Sequence, residues 1–197
     1  HYRHDPGDPH SLSYPLVSCI IEDGDGRLWL GTGTSNAIGR GLNIFDPGTG
    51  TFYRQQIGKS HNVGDPLTVC SIFRDRTGII WVGALGDSLY KYVPHKHRFP
   101  VCRTGPGEHC GLPGSRVWSI CETLDRKLWI GTLGTGLNCW DRRTDNWSNY
   151  SHRPGDDTSL IDNTVRCLLE DKDGYLWVGT DNGLDRLDRR TGRFTHY

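Results

Sequence analysis

The chain has 197 residues, with 23 basic and 23 acidic side chains and a formal charge of zero. That balance removes the electrostatic case for nucleic acid or an anionic membrane surface as a partner. No apolar run approaches the roughly 20 residues that span a bilayer, so direct membrane insertion is not expected.

Taken in order, residues 1–5 resemble the tail of a preceding unit, because His1-Tyr2 matches the His196-Tyr197 that ends the chain. The chain opens on His1 and holds no methionine, so it is expected to be a piece of a longer protein. Four similar units follow, over about 8–56, 57–102, 103–150 and 151–197. Each starts with an apolar segment, Val17 to Asp23, Val69 to Asp75, Val117 to Thr123 and Val165 to Asp171. Near-continuous apolar character predicts a strand covered on both faces. A turn comes next, Gly24-Asp25-Gly26 in the first unit and Lys172-Asp173-Gly174 in the fourth. Asp-Gly there is a hairpin signal, since glycine accepts the positive φ of a tight turn.

The second strand carries the beat of the sequence. It is Leu28-Trp29-Leu30-Gly31-Thr32, Ile80-Trp81-Val82-Gly83-Ala84, Leu128-Trp129-Ile130-Gly131-Thr132 and Leu176-Trp177-Val178-Gly179-Thr180, with the tryptophans 52, 48 and 48 residues apart. A third strand spans Gly41 to Asp46, Gly136 to Asp141 and Gly183 to Asp188. A short fourth follows, Phe52-Tyr53 or Phe194 to Tyr197. A fixed period of this length with four strands per unit describes an all-β protein, a β-propeller with four blades of four antiparallel strands. Solenoid units usually supply fewer strands or add helices. The connections between units are long and polar, such as His152 to Leu160.

One unit is specific enough to name a family. Val165-x-x-Leu168-x-Glu170-Asp171-x-x-Gly174-x-Leu176-Trp177-Val178-Gly179-Thr180-x-x-Gly183-Leu184-x-x-Leu187-Asp188, then Thr191-Gly192-x-Phe194-x-x-Tyr197, closely resembles the two-component regulator propeller repeat. The connections His4 to Leu12 and His152 to Leu160 look like that family's blade linkers. The resemblance covers nearly the whole chain in four copies. It implies a sensor module of a bacterial histidine kinase, hybrid two-component system or diguanylate cyclase, facing the periplasm or the exterior, and several such modules respond to polysaccharide fragments. Its propellers commonly have seven blades, so these four are expected to belong to a larger ring, completed by further blades or a second copy of the chain. A four-blade ring is the other closed arrangement. Departures are an insertion at Gly33 to Arg40 that lengthens one loop, a degenerate second unit (Ala84, Asp87-Ser88, Val93), and Thr123 with Arg126-Lys127 in the third.

The four tryptophans, with Gly31, Gly83, Gly131 and Gly179, are expected to be structural core, since every copy keeps them. Each indole would bury about 150–250 Å². Seven cysteines are an odd number, so at least one is unpaired or pairs between chains. Cys19 and Cys167 share a repeat position with Ser71 and Ser119, which predicts a small buried residue there. Cys102 and Cys110 bracket a Gly/Pro-rich stretch, where a disulfide is a candidate in an oxidising compartment. His95-Lys96-His97 lacks a third ligand, and Asp23-Gly24-Asp25-Gly26 lacks the downstream glutamate of a calcium loop. Neither a metal nor a cofactor is expected, and no catalytic residue set appears.

Trp118 stands where the other units have Ser18, Cys70 and Arg166, and Arg116 where they have Leu16, Thr68 and Thr164. A position that varies on a repeating framework is where a binding surface is tuned. In a propeller these residues share one ring face with the second-to-third-strand connections. Arg40, Arg116, Trp118, Arg166, Asp181 and Asn182 are therefore the candidate ligand-binding residues, joined by Asp87 and Thr135. Aromatic and bidentate polar groups in a concavity suit a sugar or acidic-sugar ligand. The sequence reading is thus a non-enzymatic sensor blade set passing an oligosaccharide signal to a downstream signalling domain outside this chain. The alternatives are a carbohydrate-active hydrolase or lyase propeller and a protein-interaction scaffold.

Overall fold

A computed structural model describes the chain except residues 35–36, 56, 58–67, 86–87, 95–100, 104–111 and 113–115. It is all-β. Among the described residues, sixteen strands form four separate sheets, each of four consecutive strands in sequential order. The first sheet is β1 (Val17–Glu22), β2 (Leu28–Thr34), β3 (Ala37–Asp46) and β4 (Thr51–Gln55). The second is β5 (Val69–Arg74), β6 (Ile80–Ala84), β7 (Ser88–Tyr92) and β8 (Val101–Arg103). The third is β9 (Val117–Glu122), β10 (Leu128–Thr132), β11 (Leu137–Asp141) and β12 (Asn146–Tyr150). The fourth is β13 (Val165–Glu170), β14 (Leu176–Thr180), β15 (Gly183–Asp188) and β16 (Arg193–His196). All the residue pairings described between neighbouring strands are antiparallel. These meanders are β-propeller blades. The chain divides into two compact units, His1–Cys102 with the first two blades and Arg103–Tyr197 with the last two.

Each blade has a tryptophan face and a valine face. In the first unit, Trp29 packs with Val69, Ile72, Ile80, Val82 and Tyr90 of the next blade. In the second, Trp129, Leu137 and Cys139 meet Val165, Leu176, Val178 and Leu187. The glycine after each tryptophan makes that approach possible. A Cβ on Gly31 would lie 2.5 Å from Cys19 Sγ and 2.7 Å from Val69 Cγ1, and one on Gly131 would collide with Ser119 Oγ and Val165. The shared Cys/Ser position is small because it lies over this glycine.

The 1–2 hairpins are held by a side chain as well as by the turn. Asp23, Asp75 and Asp171 each accept the indole N–H of the tryptophan six residues on, at 2.9, 3.0 and 2.7 Å. The other carboxylate oxygen of each accepts two backbone N–H groups of the turn. In the third blade Thr123 Oγ1 takes the indole N–H of Trp129 at 3.1 Å and donates to Asp125 at 2.5 Å. Asp23 and Asp171 are each pulled up by desolvation, but the indole and turn donors outweigh it and hold both carboxyls below their ordinary value.

The connections cover sheet edges that would otherwise be open. His10 O accepts from Phe52 N and Thr158 O from Phe194 N, both at 3.0 Å, along the outer edges of β4 and β16. His4 and His152 bond the carbonyls of Leu12 and Leu160 through Nδ1 at 2.7 and 2.9 Å. Buried Asn43 and Asp185 on the third strands clasp the same connections at Ser13 and Ile161.

Three expectations change. The insertion at 33–40 is not a simple loop, because β2 continues to Thr34 and β3 begins at Ala37, so most of it extends a hairpin. The first strands are not uniformly covered: β5 and β9 are largely buried, whereas Ile20 of β1 and Leu169 of β13 are 55% and 65% exposed. Trp177 is half-buried, while Trp29, Trp81 and Trp129 are only 1–2% exposed. Cys110 and the side chain of Cys102 lie outside the described residues, as do His95-Lys96-His97. Cys19, Cys139 and Cys167 are free thiols, and burial pushes the Cys139 thiol up to about 12.

Candidate ligand-binding face

One irregularity recurs in every first strand. Val17 pairs with Thr32 but Cys19 with Gly31, so Ser18 has no partner of its own. The same slip leaves Cys70, Trp118 and Arg166 as bulge residues. A bulge bends the strand and re-aims one side chain. The position singled out by its variation is therefore the bulge position of each blade.

The blade end beside the bulge is assembled from three segments. Leu16 O, Thr68 O, Arg116 O and Thr164 O accept from Gly33 N, Leu85 N, Leu133 N and Asp181 N at 3.1, 2.9, 3.0 and 3.2 Å. These bonds tie the entry to each first strand to its own second-to-third-strand connection. In the second unit the Asn163 carbonyl also accepts from Gly134 N and Gly136 N at 2.9 Å, joining the fourth blade's entry to the third blade's connection.

The bulge side chains reach from blade to blade. Ser18 Oγ donates to Val69 O at 2.5 Å in the first unit. In the second, the Arg166 guanidinium lies over the Trp118 ring, 4.3 Å from its centroid. Asp181 clamps that guanidinium from the edge, with Nε–Oδ1 at 2.5 Å and Nη2–Oδ2 at 2.8 Å. Hydrogen bonding from Arg166 holds the Asp181 carboxyl below its ordinary value despite some desolvation. The Trp118 indole N–H is enclosed and has no acceptor among the described residues.

Of the six candidate residues, Trp118, Arg166 and Asp181 thus form one contact group. Arg116 is exposed at the same blade end, two residues before Trp118. Asn182 is exposed beside Asp181, its backbone N–H on Thr180 Oγ1 at 3.2 Å. Thr135 is drawn inward, its hydroxyl on Thr132 Oγ1 at 2.7 Å. Arg40 belongs to β3, but its side chain lies outside the described residues, as does Asp87. The bulge register and the Arg166–Asp181 clamp were missed at the sequence level. Only the alignment of Ser18, Cys70, Trp118 and Arg166 pointed to them.

A concavity of about 280 Å³ lies away from this group, beside β12 and β16 of the second unit. It is lined by Asn149, Tyr150, Ser151, Arg153, Leu160 and Phe194, among others. Among the described residues, no three His, Cys, Asp or Glu side chains converge as a metal site would require.

The two component regulator propeller model matches residues 11–34 and 159–182. Both matches run from the end of a connection through the bulged strand and the tryptophan strand. The structure is similar to the extracellular domains of two proposed hybrid two component systems of Bacteroides thetaiotaomicron. One has 22% identity and a TM-score of 0.76, over 99% of this chain and 25% of that one. The other has 21% identity and a TM-score of 0.74, over 95% and 22%. It is also similar to virginiamycin B lyase from Staphylococcus aureus, with 15% identity and a TM-score of 0.64, over 93% and 58%. At these identities the likeness is one of fold, and the chain spans a quarter or less of the two extracellular domains. No curated protein matches it in sequence. The chain is a β-propeller segment, and in its first and fourth blades it matches the two component regulator propeller repeat.

Proposed function

We propose that the chain is a ligand-sensing propeller segment of a bacterial signal-transduction protein, without catalysis of its own. Its ligand is an oligosaccharide bound at the bulge end of the blades, and it acts on a signalling domain elsewhere in the parent protein. Placement on the periplasmic or extracellular side is supported by the fold neighbours, which are extracellular domains.

The observation that carries the reading is the Trp118–Arg166–Asp181 group. A flat aromatic and a guanidinium fixed on two sides form a pre-organised polar and stacking surface, which binds planar-faced polar ligands at little ordering cost. Arg116 and Asn182 add hydrogen-bond donors beside it. Ligand would act by preferring one arrangement of the segment and its following domain.

A thermal-shift screen against plant and host oligosaccharides tests this. A ligand that binds only the folded state stabilises it by about 2.7 kcal/mol at a hundredfold excess over Kd. The expected result is a dose-dependent shift with the glycan recovered intact. Alanine at Arg116 and Trp118 should weaken that binding at least about tenfold, roughly 1.4 kcal/mol, with the ligand-induced shift measured from the variant's own unliganded melting point. Unchanged affinity in that double variant would refute the site. Cleavage of the glycan would favour a lyase or hydrolase instead.

A further inference from the structure

The concavity beside β12 and β16 lies between the third and fourth blades, so its walls all come from one unit of this chain. At about 280 Å³ it stands just below the roughly 300–1,000 Å³ of drug-sized ligand sites. That is room for one ring and not for a chain of them. Its apolar part is Leu160, Phe194 and the ring of Tyr150, which meets Phe194 edge to face at 6.0 Å and 71°. Leu160 and Phe194 are buried, and Tyr150 is half-buried against Trp129. Gly192 leaves the edge of the Tyr150 ring open: a Cβ there would lie 3.8 Å from Cε1, the carbon next to the one that carries the hydroxyl.

The polar part brings no uncompensated charge. Arg153 lines the cavity, and its Nη2 bonds Asp156 Oδ2 at 2.7 Å. The connection that carries it is held in shape, since Arg153 N donates to Ser159 Oγ, and Arg153 O accepts from Asp156 N, both at 3.0 Å. His152 Nδ1 on Leu160 O closes the same loop at 2.9 Å. The site is therefore formed before any ligand arrives, which lowers the ordering cost of binding. Carbon surface on one part with hydroxyl and N–H groups on the rest matches a neutral sugar ring, whose faces carry C–H groups and whose edge carries hydroxyls. An anion would have to displace Asp156 from Arg153, and a purely aromatic ring would leave the polar lining desolvated and unpaired.

We propose that this cavity between the third and fourth blades binds a single neutral hexose ring, with Tyr150 supplying both a ring surface and a hydroxyl. The site is distinct from the bulge end of the blades and does not depend on the reading given for it.

Amide resonances of the isotope-labelled chain, followed during titration with the methyl glycosides of glucose, galactose and mannose, test it, with the methyl glycoside of glucuronic acid as the anionic control. Saturable shifts at Ser151, Arg153 and Gly192 are expected with at least one neutral glycoside, and weaker binding with the glucuronide. Tyr150→Phe removes one hydroxyl and no packing, and should weaken the binding about threefold to tenfold, as loss of one neutral hydrogen bond does. Gly192→Asn fills the space beside Tyr150, and asparagine is the side chain that best tolerates the φ of +72° there. It should abolish the shifts at Ser151 and Arg153. No saturable shift at these amides with any neutral glycoside, tighter binding of the glucuronide, or binding that survives both variants overturns the proposal.

Discussion

At the scale of single residues, the 1–2 hairpin shows how one side chain serves several donors. Asp75 is 3% exposed and accepts from the Trp81 indole, the Thr77 backbone and hydroxyl, and the Ile79 backbone. Removing it strands several enclosed donors, each worth about 1–3 kcal/mol. Asp75→Ala is expected to destabilise the protein by about 2–4 kcal/mol, read by denaturant titration. The third blade departs from the turn rule in the opposite sense. Arg126 stands where the others have Gly26, Gly78 and Gly174, and it takes the same left-handed conformation at φ 67. A side chain there costs about 1–2 kcal/mol, partly offset by glycine's freedom in the unfolded chain. Arg126→Gly should therefore raise stability by about 0.5–1 kcal/mol. An unchanged or lowered denaturation midpoint would contradict that account.

At the scale of elements, the last strand depends on a charged clasp. Asp185 on β15 has no exposure and bonds both Ile161 N and His196 Nδ1, the latter at 2.6 Å. The hydrogen bond to Asp185, aided by the nearby Asp157, raises the His196 pKa above its ordinary 6.5. Because the folded value is the higher one, the stabilisation is complete below pH 6.5 and is lost as pH rises through the folded pKa. His196→Gln should lower the melting temperature more at pH 6 than at pH 9. An equal effect at both values would mean that the ion pair contributes nothing. The bulges belong to this scale too, since each turns one first-strand residue toward the ligand face and leaves the ladder on either side intact.

At the scale of the whole molecule, repetition explains how the core is built. Within each unit the earlier blade buries its tryptophan against the next blade's valine strand, as repeat units do when nearest-neighbour packing supplies the core. Trp29 and Trp129 have that partner within their units. Trp177 of the fourth blade is half-buried, and Val17 of the first is 46% exposed. The connections over β4 and β16 protect those outer edges from strand addition.

By itself the sequence determined the repeat, the four-strand blade, the turn positions and the small residue opposite each glycine. These follow from local conformation and from contacts that recur in every copy, so they leave a period in the chain. It also marked Trp118 and Arg166 as variable against that period. Only the tertiary structure decided that both are bulge residues and that Asp181 clamps Arg166 against Trp118. A bulge is a register slip between two strands, and burial depends on which surface arrives from outside the repeat. Neither property is carried by residue order within one unit.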